Sequence, residues 1–332
     1  MHRHARRSIL GIAIAAAVPA LARPAFAQGG GGAFPERPVR LVVAFPPGGP
    51  TDVVARILAE RMGRDLGQPV VVENRGGANG NIAAEAVAKA PPDGYTVLYN
   101  TSSIAISRAL YRTLAYDVLR DLQPVALTAA SPLALVVHPS LPPRDPPGFI
   151  AWAKANSGRV SYSSGGVGNI SHLLSFLVLR HIGAEATHVP YRGTAAALTD
   201  TAAGNVQFTS DTVVTALPVI QDGRVRAIAV SSAGRTPLLP DVPSMAEAGM
   251  MPPGFEVGAW QGILAPARTP PAAVARLNAA VRAALADGEV RARLAAQGAQ
   301  PTGGSPEDYA RYLRDEVERW GRVVAESGAT AE

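Results

Sequence analysis

Short apolar runs of strand length alternate with longer runs whose apolar residues recur every three or four positions, and few folds accept that order. The strand-like runs cover residues 40–45, 69–73, 95–99, 133–138, 160–164, 187–190, 206–210, 225–231 and 259–265. Helix-like runs lie between them at 53–66, 81–90, 149–155, 170–182, 194–203 and 212–221. The alternation predicts an α/β fold with largely parallel sheets. The C-terminal third is mainly helical, at 272–286, 289–296 and 306–326. The last of these has Ser305 as N-cap, Pro306 at N1 and acids in its first turn. Tyr309, Tyr312, Leu313, Val317, Trp320 and Val324 form its core-facing stripe.

Two of the strand-to-helix junctions are rich in glycine. In the first, Leu41 to Phe45 is a continuous apolar run, Gly48 and Gly49 follow, and a helix with one apolar face begins near Val53 and stops at Gly67. Thr51 is expected to cap that helix and Asp52 to sit in its first turn as a helix-start acid. Glycines there would let a ligand reach backbone N–H groups at the positive end of the helix, so Gly49→Leu is expected to block the site. No Lys-Ser/Thr follows, so the loop is not a nucleotide P-loop and suits a smaller anion such as a carboxylate. The second junction, Ser164-Gly165-Gly166-Val167-Gly168-Asn169, repeats the pattern. Two such junctions facing one another would grip both ends of an organic di-acid; tight turns without a ligand would read the same way.

The first 27 residues are read as an export signal: a basic start from His2 to Arg7, an apolar stretch from Ile9 to Ala22, and Ala25-Phe26-Ala27 before the cleavage point. Arg6-Arg7 is compatible with twin-arginine or ordinary export. The segment holds four of the 31 basic residues and no acid, so 27 basic and 26 acidic residues remain and the net charge falls to +1. Nucleic acid is thereby dropped as a partner. With no cysteine there is no disulfide framework, thiolate metal site or lipid anchor, and a monomer free in the periplasm is expected. Residues 28–33 read as a flexible Gly-rich leader.

The long apolar segment 125–138 and the run 259–265 look like crossings between domains. They place residues 34–132 and 259–332 in one lobe and 133–258 in the other, with a ligand cleft between. Thr101 and Ser102 offer hydroxyls after a strand, where ligands of open α/β sheets bind. Asp211 either accepts a hydrogen bond from a ligand amine or hydroxyl or caps the helix beginning at Thr212. Arg192 could clasp a carboxylate or brace the chain. The histidines have no metal-ligand spacing, so no metal is expected. A hydrolase would need an unadvertised triad of Ser164, His172 and Asp211, since no G-x-S-x-G elbow is present.

Six segments in order bring a family into view: Phe45-Pro-Pro-Gly-Gly-Pro-Thr-Asp52, Val72-Glu-Asn-Arg-Gly-Gly-Ala-Asn-Gly80, Pro92-Asp-Gly-Tyr-Thr96, His188-Val-Pro-Tyr-Arg-Gly193, Leu239-Pro-Asp-Val-Pro243 and Trp260-Gln-Gly-Ile-Leu-Ala-Pro266. Together they resemble the Bug/TctC solute receptors of tripartite tricarboxylate transporters. The resemblance implies a type II periplasmic-binding fold, two α/β lobes around a cleft, without catalysis or cofactor. It also implies a small organic carboxylate as ligand and integral membrane transporter subunits as partners. A sensory module presenting the ligand to a membrane kinase has the same sequence features. Carried over by position, the ligand contacts fall on Phe45, Gly48, Gly49, Thr51, Thr101, Ser102, Ser164, Gly165, Gly168, Asn169 and Asp211. Relatives usually have Gly-Ser where this chain has Gly168-Asn169, which predicts a narrower pocket and a different ligand.

Overall fold

The computed structural model describes residues 34–331; the expected export signal and leader lie outside them. The chain opens with β1 (Val39–Val43), α1 (Pro50–Leu66) and β2 (Val70–Asn74), then a short 3-10 turn (Ala78–Gly80) leading into α2 (Asn81–Ala88). Next come β3 (Thr96–Thr101), α3 (Ser103–Leu110) and the long β4 (Leu122–Val137). The middle of the chain holds α4 (Pro146–Ala155), β5 (Ser161–Ser164), α5 (Ile170–Ile182), β6 (Thr187–Pro190), α6 (Thr194–Ala202), β7 (Phe208–Thr212), α7 (Val213–Gln221) and β8 (Arg226–Val230). The chain ends with β9 (Gly258–Pro266), α8 (Pro271–Ala286), α9 (Gly288–Ala296), β10 (Gln300–Pro301) and α10 (Pro306–Ser327).

The strands run in the order β2-β1-β3-β9-β4-β7-β5-β6, with β8 and β10 also on β4. Pairings within β1–β3 and within β5–β7 are parallel, whereas β9 and β4 run antiparallel to their neighbours. The sheet is therefore mixed, which corrects the expectation of largely parallel pairing. β4 changes partner part-way: Leu122 to Pro132 pairs with β9, and Leu133 to Val137 with β7 and β8.

Alternation places the side chains of β1 on opposite faces. Leu41 and Val43 pack with Val54, Leu58 and Met62 of α1 and with Leu277 of α8. Val42 joins Ala83, Ala84 and Val87 of α2 and Ile104 of α3. Coverage of both faces explains the unbroken apolar run at the first junction. α1 begins at Pro50, with Gly49 rather than Thr51 as N-cap. Proline at N1 has its φ preset and no N–H to lose, so the helix starts two residues early. Gly67 closes α1 in the left-handed region, its N–H bonded to the Gly63 carbonyl at 3.0 Å.

Candidate functional site

At the first junction the expected donor is already used. Asp52 is 2 % exposed, and its carboxylate accepts from the Gly48 N–H at 2.9 Å, Arg56 Nε at 2.9 Å and Asn74 Nδ2 at 2.8 Å. Burial alone would raise its pKa, but these three donors outweigh it and hold the group below the usual carboxylate range. Asp52 thus ties the loop to α1 and β2. At the second junction the Gly165 N–H donates to Ser171 Oγ at 3.0 Å, the Gly166 N–H to Ser164 Oγ at 3.1 Å and the Gly168 N–H to His172 Nδ1 at 3.1 Å. Most of the glycine amides expected to face an anion are therefore bonded within their own loops.

What the two junctions frame is a cavity of ≈ 170 Å³. Of the residues expected in the site, Phe45, Thr51, Thr101, Ser102, Gly168, Asn169 and Asp211 line it, and Gly48, Gly49, Ser164 and Gly165 do not. Gly49 has an ordinary φ of −75°, and a Cβ there would meet only the Pro46 carbonyl at 3.6 Å. Gly168 has φ +70°, and a Cβ would run into Leu110 of α3. Its need for glycine is packing between the second loop and α3, not ligand approach. Ser164 is fully buried and supports the loop, its Oγ meeting His188 Nε2 at 2.6 Å and the Gly166 carbonyl at 3.0 Å.

Helix starts supply most of the lining. Pro50 and Thr51 open α1, Ser102 and Ser103 open α3, and Asn169, Ile170 and Ser171 open α5. Thr194 is the first residue of α6, while Thr212, Val214 and Thr215 form the N-cap and first turn of α7. First-turn N–H groups have no acceptor inside their helix. In α1 the first intrahelical bond is that of Val53 to Gly49, which leaves the Thr51 and Asp52 N–H groups outside the ladder. Each dipole favours an anion by ~0.3–1 kcal/mol at a surface and up to ~2 kcal/mol when partly buried. Five on one small space make a strong anion field. Among the described residues no lysine or arginine lines the cavity, so an anion there meets hydroxyls, amides and helix ends rather than a counter-charge. Arg192 is exposed and outside the lining.

The side-chain donors are held by bonds on their far sides. Asn169 Oδ1 accepts from the Ser171 N–H at 3.0 Å and Oγ at 2.8 Å, which leaves its NH2 as the end without a protein partner. Gln261 Oε1 accepts from Tyr99 OH at 2.8 Å, and that leaves its own NH2 beside the cavity. Sequence reasoning missed Ser131, Thr194, Thr212, Thr215 and Gln261. For Thr194 and Thr212 the available signal was a hydroxyl residue between a strand and a helix; no glycine cluster advertised them as it did the first two loops.

Asp211 does not cap α7. Oδ1 accepts from the Thr212 N–H at 2.7 Å, but Thr212 is the N-cap of α7 and receives no side-chain cap. Oδ2 is buried without a partner. Burial pushes the carboxyl up to about 7 against the pull of the Thr212 amide and the Thr194 side chain. His172 and His188 stack with centroids 3.7 Å apart and planes 8° apart. Burial, with the His188 ring a further cause, takes His172 down to about 4, and burial takes His188 to about 4 as well. Ser164, His172 and Asp211 form no triad, because each is hydrogen-bonded to a different partner.

Comparison with known proteins decides the family. The model of the tripartite tricarboxylate transporter family receptor, TctC, matches residues 54–329. The chain belongs to this family. It is similar to solved structures across nearly its whole length. Rpa4515 of R. palustris with adipate is 39 % identical with a TM-score of 0.79, over 90 % of this chain and 99 % of that one. MatC (Rpa3494) from Rhodopseudomonas palustris with bound malate is 39 % identical with a TM-score of 0.74, over 88 % and 100 %. The periplasmic binding protein BugD is 36 % identical with a TM-score of 0.75, over 90 % and 100 %. The chain thus has the α/β fold of periplasmic binding proteins, and its neighbours in structure are solute-binding receptors. No described helix is long and apolar enough to cross a membrane.

Proposed function

We propose that this chain is an extracytoplasmic receptor that binds a small organic carboxylate, a dicarboxylate above all, and delivers it to a tripartite tricarboxylate-type membrane transporter. The observation that carries the reading is the convergence of five helix N-termini on one cavity whose polar lining, Asp211 apart, is made of neutral hydroxyls and amides. The cavity, ≈ 170 Å³, is well below the ~300–1,000 Å³ of sites for drug-sized ligands, which favours a compact acid over a nucleotide. Adipate in Rpa4515 and malate in MatC support the same chemistry. The ligand contacts on this reading are Phe45, Thr51, Thr101, Ser102, Gly168, Asn169 and Asp211, joined by Asn79, Ser131, Thr194 and Gln261. Residues 34–132 with 259–332 and residues 133–258 act as the two lobes. They hinge where β4 and β9 cross, and the ligand favours the closed form through contacts from both sides.

The test is calorimetry of the chain from residue 28 onward against succinate, malate, adipate and citrate, with sulfate and phosphate as controls. The reading predicts one site filled by at least one dicarboxylate and tighter than either inorganic anion. Preference for sulfate or phosphate, or no carboxylate binding, would contradict it. Delivery predicts that the liganded chain co-purifies with integral membrane transporter subunits; capture of a membrane kinase instead would support sensing.

A further inference from the structure

Among the described residues that line the cavity, Asp211 has the one ionisable side chain. Only one of its oxygens has a hydrogen-bond partner, and the other is buried without one. An ionised carboxylate in that position pays a desolvation cost that the Thr212 amide and the Thr194 side chain offset only in part. The elements packed on β7 are β4, β5, α5, α6 and α7. β4 and α7 have no ionisable side chain, β5 has Tyr162, and α6 has Asp200, bonded to Tyr191 and Asn205. α5 has His172, kept neutral by burial, and Arg180 and His181 in its last turn, at the end away from the cavity. None of these lines the cavity, so no cation compensates Asp211.

A carboxylate ligand confined to ≈ 170 Å³ cannot avoid this group. Where two carboxyl groups share one site, the like charge disfavours ionisation and strongly raises one of the two pKa values, so the pair tends to keep a proton. We propose that Asp211 meets the ligand as a carboxylic acid, its Oδ2–H donating to a ligand carboxylate, so that binding to the protein with Asp211 ionised takes up one proton from solvent. The inference rests on the carboxylate reading above and deepens it: the preferred ligand turns an ionised acceptor, not an ammonium, toward Asp211. In the unliganded protein the group already titrates near neutrality because of its burial. The balance is simple: ionised Asp211, a proton from the buffer and the ligand anion give the neutral acid hydrogen-bonded to that anion.

Calorimetry with malate and adipate at pH 8, in HEPES and in Tris, reads the proton directly, since the observed heat then shifts with the protonation enthalpy of the buffer. The expected uptake is close to one proton at pH 8 and small in MES at pH 6, and affinity should fall about fivefold to tenfold from pH 8 to pH 9. Asp211→Asn keeps the shape and supplies a permanent donor. It should bind within about threefold of wild type at pH 6, with no proton uptake and a flat pH profile. Far-ultraviolet circular dichroism and a melting curve check that the variant folds. Carboxylate binding with the same heat in both buffers and equal affinity at pH 8 and pH 9 would overturn the proposal and leave the receptor reading standing. A loss beyond tenfold in folded Asp211→Asn at pH 6 would also overturn it, showing an ionised Asp211 facing a ligand donor. No carboxylate binding at any pH would remove both.

Discussion

Buried Asp211 destabilises the unliganded protein near neutral pH. Its pKa is raised from 3.8 to about 7 by burial, so the folded state binds the extra proton between those values. The associated stability is present below pH 3.8 and is lost as pH rises through 7. Asp211→Asn is therefore expected to gain on wild type between pH 4 and pH 8, by about 2–4 kcal/mol in urea unfolding of the unliganded protein. A gap that stays constant with pH would show that the carboxyl titrates normally. Asn169 is the second residue to test. Asn169→Ser keeps an N-cap for α5 but removes the NH2 at the cavity, so dicarboxylate affinity should fall about threefold to tenfold, the worth of one hydrogen bond. The glycines separate in the same assay. Gly49→Ala should leave affinity within about twofold, whereas Gly168→Ala, driven into Leu110, should cost about 1–3 kcal/mol of stability. These residue-scale roles were only half legible. Glycine marked the loops correctly, yet the amides of Gly48, Gly165 and Gly168 are satisfied by Asp52, Ser171 and His172, partners that no spacing rule would pair with them.

At the scale of elements, the parallel units were readable because each strand and helix carries its own apolar period. α10 is the best case. Ser305 and Asp308 form a reciprocal capping box, and Tyr309, Leu313, Trp320 and Val324 are buried as the pattern required. Glu316, in the same stripe, was not foreseen. It is 3 % exposed and accepts from Trp260 Nε1 at 2.8 Å and Trp320 Nε1 at 2.9 Å, which pins α10 to β9. The first half of β4 was hidden by Pro124 and Pro132, which argue against a strand interior, and the pairing with β9 is irregular around Pro124 and again between Leu127 and Ala129. α3 was hidden by its shortness and by serines that read equally as loop. The histidine stack joins α5 to β6 and carries a pH signature. Both rings are depressed from 6.5 to about 4, so the unfolded chain binds more protons in that window and stability falls as pH drops from 6.5 toward 4. His172 alone should account for on the order of 3 kcal/mol, and the more exposed His188 for less. Denaturation midpoints that fall less between pH 7 and pH 4.5 in His172→Phe than in wild type would bear this out; parallel falls in both would not.

For the whole molecule, the order of strands decides where a ligand can sit. Helices that follow β1, β3, β5, β6 and β7 start at the C-terminal ends of those strands, and their N-termini meet at one place. That convergence could not be read from sequence, because it needs β4 and β9 to run antiparallel and bring the two parallel groups together. Hinging at those crossings predicts a smaller radius of gyration by solution scattering when a bound dicarboxylate is present, and an unchanged one with sulfate. The most direct measurement is a crystal structure of the chain from residue 28 onward with malate or adipate bound. The account predicts the ligand carboxylates at the starts of α1, α3, α5, α6 and α7, bonded to hydroxyls, amides and Asp211, with no lysine or arginine in contact. A ligand seated elsewhere, or one held by an arginine such as Arg192, would contradict it.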